Sequence, residues 1–147
     1  MTRPIAPFLP HAPPMILLDH LLTWDDDSVT AEVTVHRTSR FVDQDHRIPA
    51  HIGLEWMAQA CAAYAGLQAH TDNRPVTVGF LLGTRDFDGD QPWFAIGETA
   101  TVLARRVFLE GGMAVFDCAI HVGGIERAHA RLNVFQPDES DRGEASA

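Results

Sequence analysis

Between Ala50 and Gln68 only three side chains are strongly polar, His51, Glu55 and Gln59, and their spacing of four puts them on one face of a helix. A carboxylate on an otherwise apolar helix is costly unless it is paired or put to use. Glu55 is therefore the candidate group for proton transfer to or from a substrate. It also has a plain structural reading, since the macrodipole favours an anion at a helix N-terminus without any chemistry. Gln59, one turn on, can orient Glu55 or satisfy buried backbone, and the structural role is the favoured one. His51, one turn before, can hydrogen-bond Glu55 if the helix already includes it.

Other chemistries find no footing. Cys61 and Cys118 lie in apolar stretches with no CxxC spacing and no histidines placed as zinc partners, so they read as buried free thiols. His20, His36, His70, His121 and His129 are scattered and form no metal cluster. The chain has no P-loop, no GxSxG elbow and no GxGxxG fingerprint, which removes nucleotide-dependent and serine-hydrolase readings. Eleven basic against twenty acidic residues give a net charge of −9, a field that repels phosphate backbones, so nucleic acid is not an expected partner. No stretch reaches the ~18 apolar residues of a membrane span, and proline breaks the first residues where a secretory leader needs an unbroken apolar run. The expected location is cytoplasmic.

The elements that must position these groups follow from patterning. At 147 residues the chain is expected to form a single domain over 1–147. Five prolines between 4 and 14 deny a regular helix and predict an extended or turn-rich arm, with 1–8 and the acidic tail 137–147 flexible. Met15–Asp19 reads equally as a helical turn or a first strand. After a turn at Asp25–Ser28, Val29, Ala31, Val33 and Val35 alternate with polar residues, as in a half-buried strand. A polar, aperiodic stretch from Thr38 to Pro49 leads into one long helix over Ala50–Gln68, apolar nearly all round and so expected in the core. Strands follow over Val76–Leu82, from near Glu98 to Leu109, then on Ala114–Val122 and Ala128–Val134. The glycine pairs 111–112 and 123–124 make the turns of this antiparallel meander. The fold class is α+β, a single sheet curled around one buried helix.

Three segments carry a family resemblance: Leu9-Pro10-His11-Ala12-Pro13-Pro14-Met15 with Leu17-Leu18-Asp19; Pro49-Ala50-His51-Ile52-Gly53-Leu54-Glu55-Trp56-Met57-Ala58-Gln59-Ala60; and Gly79–Phe87 with Ile96-Gly97-Glu98-Thr99. Over about residues 8–136 the chain resembles the hotdog-fold 3-hydroxyacyl-[acyl carrier protein] dehydratases. The first two segments are most similar to dehydratase-like proteins of aryl-polyene and related polyketide-type clusters. The resemblance implies a dimer with two acyl tunnels at its interface, and elimination of water from a 3-hydroxyacyl thioester carried on phosphopantetheine. It implies no metal or organic cofactor. In such a site a His takes the C2 proton and the helix Glu, here Glu55, handles the C3 hydroxyl. A backbone N–H near the helix start, at Gly53, or on the glycine-containing strand, at Gly79, would polarise the thioester carbonyl. Gln59 and His51 would lie along the substrate, although His51 occupies an apolar position of the pattern and also reads as a packing residue.

One departure stands out. The family's catalytic His falls at Phe41, which would line the tunnel instead. His46, nine residues before Glu55, is the first candidate for a replacement base. His11 matches the family's N-terminal His, whose role there looks structural, and is a further candidate. Arg37, Arg40 and Arg47 before the helix, with Arg85, Arg105, Arg106, Arg127 and Arg131 in the β half, could supply a positive patch for an acidic acyl carrier protein or a phosphopantetheine phosphate. Three functions are compatible: an active dehydratase, a hotdog thioesterase working with one carboxylate and a water, and a non-catalytic subunit completing an active paralogue. An unpaired sheet edge predicts association into a homodimer or a heterodimer.

Overall fold

Alternation decides the sheet. Val29, Ala31 and Val33 point inward from β3 (Ser28–Thr34) and are buried, while Thr30, Glu32 and Thr34 face the other way. The same parity buries Ala100, Val102 and Ala104 of β7 (Thr99–Glu110), Ala114, Phe116, Cys118 and Ile120 of β8 (Met113–Val122), and Ala128, Ala130 and Leu132 of β9 (Ile125–Phe135). The computed structural model describes residues 3–10, 15–73, 80–89 and 93–135. With β1 (Arg3–Pro4), β2 (His20–Trp24) and β5 (Phe80–Gly89) the strands form an antiparallel seven-stranded sheet in the order β1-β2-β3-β7-β8-β9-β5. At the β8–β9 hairpin, Gly123 and Gly124 have φ of 60° and 79°, as a primed two-residue turn requires.

The concave face wraps α1 (Ile52–Thr71), whose Trp56, Met57, Ala60 and Ala63 are buried against it. Small residues let sheet and helix approach closely. A Cβ on Gly53 would stand 2.8 Å from Ile120 Cδ1, and one on Gly66 would collide with the Phe8 carbonyl. The helix begins two residues later and ends three later than its polar boundaries suggest. A strand expected over 76–82 is described only from Phe80, and it continues to Gly89.

The N-terminal arm is extended and turn-rich, as its prolines imply, and over its described residues it packs on the body. β1 pairs with β2, a 3-10 turn at Ala6–Phe8 follows, and Ile5, Phe8 and Leu9 are buried. Apolar burial outweighs the lack of regular structure. Met15–Asp19 is neither helix nor strand, because its backbone is bonded by a side chain, as described below. The structure adds a second, two-stranded sheet: β4 (Arg47–Pro49) pairs with β6 (Trp93–Ala95), apart from the main sheet. Cys61 and Cys118 are free and buried as expected, with Sγ atoms 3.7 Å apart, and burial pushes the Cys61 thiol well up. Among the described residues no helix is long and apolar enough to cross a membrane.

Candidate functional site

The small sheet delivers the chain to the helix that carries the carboxylate. β4 ends at Pro49, and His51 precedes the first turn of α1 with helical dihedrals but no side-chain cap. Glu55 follows in that first turn, at the positive end of the macrodipole. Both side chains are exposed in the single chain, on a stripe where Leu54, Ala58, Ala62, Ala65 and Gln68 are only half-buried. An enclosed carboxylate was expected, and the difference has a simple cause. The sheet covers the opposite side of α1, and nothing in this chain covers the stripe among the described residues.

The loop before β4 is built on Asp43. Its Oδ1 accepts from the amides of Asp45 (2.9 Å) and Arg47 (3.1 Å), and its carbonyl accepts from the His46 amide at 3.1 Å. His46 closes the turn at φ 61°, and its carbonyl accepts from the Ile96 amide at 3.3 Å. Phe41 opens the loop at φ 69°, unusual for a bulky residue; the residue is 45% exposed, and the Arg40 guanidinium lies 5.5 Å from its ring centre. Arg47 pairs with Asp45 at 2.9 Å and lies 4.1 Å over the Trp93 ring. His46 is thus placed by its backbone, with an exposed imidazole. Among the described residues Glu55 has no hydrogen bond to His46 or to His51. His11 and Gly79 lie outside the described residues.

Two candidates for substrate contact are occupied by the fold. Gln59 is buried; its Oε1 accepts from the amides of Leu17 (2.9 Å) and Leu18 (3.3 Å), and its Nε2 donates to the Met15 carbonyl at 2.7 Å. It straps Met15–Leu18 to the helix, the structural role favoured for it. The Gly53 amide donates to the Ala50 carbonyl at 2.8 Å, so it is not a free donor for a thioester oxygen, and the missing Cβ serves packing against Ile120 and Phe94.

The group that joins the two sheets leaves no sign in the side-chain pattern of the sequence. Arg127 is buried; its two terminal nitrogens reach Glu98 Oε2 at 2.8 Å and the Trp93 carbonyl at 2.7 Å. Glu98 Oε1 accepts from the Ala95 amide at 2.7 Å. Alternation hides Arg127, because Ala128 is its inward neighbour. A register shift, with Ile120 opposite Ala128 but His121 opposite Glu126, leaves Arg127 as an extra residue and turns it inward. Among the described residues no three His, Cys, Asp or Glu side chains converge as metal ligands. The arrangement offers one carboxylate at a helix N-terminus, open on an apolar stripe, with no histidine of the described chain bonded to it.

A family model described as ApeP-like, ApeP dehydratase, matches residues 3–144. A chain of the dehydratase heterocomplex ApeI:P from Xenorhabdus doucetiae is similar at a TM-score of 0.89 and 28% identity, over 97% of this chain and 97% of that one. The E. coli PaaI protein from the phenylacetic acid degradation operon matches at 0.63 and 16% identity, over 79% and 81% of the two chains. A hypothetical thioesterase with coenzyme A from Streptococcus pneumoniae matches at 0.63 and 12% identity, over 80% and 87%. These last two share the hotdog fold. No curated protein sequence matches.

Proposed function

Because this chain belongs to the ApeP-like dehydratase family, we propose that it acts as one subunit of a hotdog dehydratase, paired with a paralogue that supplies the base whose place Phe41 takes here. The substrate is a 3-hydroxyacyl thioester on the phosphopantetheine of an acyl carrier protein. The base takes the C2 proton, the C2–C3 double bond forms, and the C3 hydroxyl leaves as water with the proton given by the Glu55 carboxylic acid.

The observation that carries this reading is the position of Glu55, exposed on a half-buried apolar stripe and bonded to no histidine of the described chain. Phe41 at the position of the family's base points the same way. So does β5, whose outer edge has no strand beside it among the described residues and offers backbone groups to a second subunit. The heterocomplex of the similar ApeI:P chain supports a paralogue as that subunit.

Mass spectrometry of a 3-hydroxyacyl-phosphopantetheine thioester tests it, with this chain alone, with its paralogue, and with Glu55→Gln in the pair. The expected result is no water loss from the chain alone, turnover by the pair, and a fall of about 10²-fold or more in the variant pair. Turnover unaffected by Glu55→Gln would instead make the chain a non-catalytic partner. Turnover by the chain alone that His46→Ala removes would return the base to this subunit.

A further inference from the structure

The residues around the site sit on a unit that the main sheet does not hold by its ladder. β4 and β6 pair only with each other, and the segment they carry includes the Phe41–Arg47 loop, His51 and the first turn of α1. Besides core packing of Ile48 and Phe94, two sets of polar bonds among the described residues tie the unit to the rest of the fold. In one, backbone bonds join Gly97 to Val35 (2.8 Å) and Val35 to Glu98 (2.9 Å) at the end of β3. In the other, Arg127 reaches across from β9 to Glu98 and to the Trp93 carbonyl, while its guanidinium lies 5.0 Å over the Phe94 ring. Phe94 in turn packs at a tilt on Trp56, with ring centres 4.8 Å apart, and meets the space a Gly53 side chain would take. Trp56 is the neighbour of Glu55 in sequence.

We propose that Arg127 is a positioning residue: its part-buried ion pair with Glu98 fixes β6, and through Phe94 and β4 it fixes the first turn of α1 and so the direction in which Glu55 is presented. The inference rests on the role of Glu55 given above. The chemistry suits the task. A planar guanidinium can hold a carboxylate and a carbonyl at once in set directions, which a lysine ammonium on a flexible stem does less well. Glu98 divides its two oxygens between Arg127 and the Ala95 amide, so one carboxylate ties β9 to both flanks of the turn that leads into β7. Removing either charge leaves its partner unpaired in a mostly buried place, so the pair is held together by the cost of separating it.

The test uses the full chain assembled with its paralogue, comparing wild type with Arg127→Lys and with Glu98→Gln, the second keeping size and one hydrogen-bonding oxygen. Hydrogen–deuterium exchange should rise about tenfold in peptides covering 41–51 and 93–98 and stay unchanged in β8. Turnover number should fall about tenfold with KM within a factor of two, because a displaced acid weakens the reacting geometry more than binding. Exchange that rises equally across β8, or does not rise at all, would overturn the proposal by showing a general stabilising role or none. Local loosening with unchanged kcat and KM would overturn it as well. Local loosening in an assembly whose wild type has no turnover would leave placement by Arg127 standing and would count against the dehydratase reading.

Discussion

The two ends of α1 are built from similar residues and treated in opposite ways. At the C-terminal end Gly66 lies under the Phe8 carbonyl, the His70 ring sits 4.7 Å from the Phe8 ring, and His70 Nε2 is 3.2 Å from the Pro7 carbonyl. The buried Tyr64 donates its hydroxyl to the Asp26 carbonyl at 2.5 Å, and the Thr71 hydroxyl bonds back to Leu67. That end is closed by the N-terminal arm and the β2–β3 turn. At the N-terminal end no side chain caps the helix, and His51 and Glu55 stand exposed, with Trp56, Gly53 and Phe94 packed only behind them. The closed end stabilises the fold, and the open end keeps its polar groups available to something outside the chain.

The sharpest way to break this contrast is Gly66→Ala. The added methyl meets backbone rather than a yielding side chain, so the arm must lift, at a cost of about 3 kcal/mol. Urea unfolding would show it as a lower midpoint, and a loss under about 1 kcal/mol would mean the arm is not seated on the helix. Gln59→Leu should come next, at about 2 kcal/mol, because it strands the Leu17 and Leu18 amides and the Met15 carbonyl. Faster amide exchange confined to Leu17 and Leu18 would accompany it, and unchanged exchange there would refute the strap. The smallest effect concerns pH. Burial pushes the phenol of Tyr64 above its ordinary value, against a smaller opposing pull from the Arg106 guanidinium. Its contribution is fully present below the unfolded value and is lost as pH rises through the higher folded one. Tyr64 is the sole tyrosine, so ultraviolet titration reads it alone. A midpoint at or below the free value of about 10 would contradict its enclosure.

Much of this was legible in the residues. Alternation placed β3, β8 and β9, paired glycines placed the hairpins, and the run of alanines placed the helix against a close sheet. Prolines in the arm showed only which backbone shapes were denied, so the seating of Ile5 and Phe8 could not be read from them. β4 and β6 have three residues each, too few to show a period. Glu55 was visible as the lone carboxylate of its helix. Its exposure was not, because a helix apolar nearly all round gives no sign of which side the sheet leaves bare. Arg127 was out of reach for a different reason: a one-residue shift in pairing reverses the inside and outside of a strand, and side-chain pattern does not record it.

Gln59 holds Met15–Leu18 through main-chain atoms alone. Such a contact recognises the shape of a segment and is indifferent to its letters. The constraint is therefore one-sided: this contact places no demand on the strapped side chains, whose choice is left to core packing, whereas no change along the strap can compensate for losing the amide that grips it.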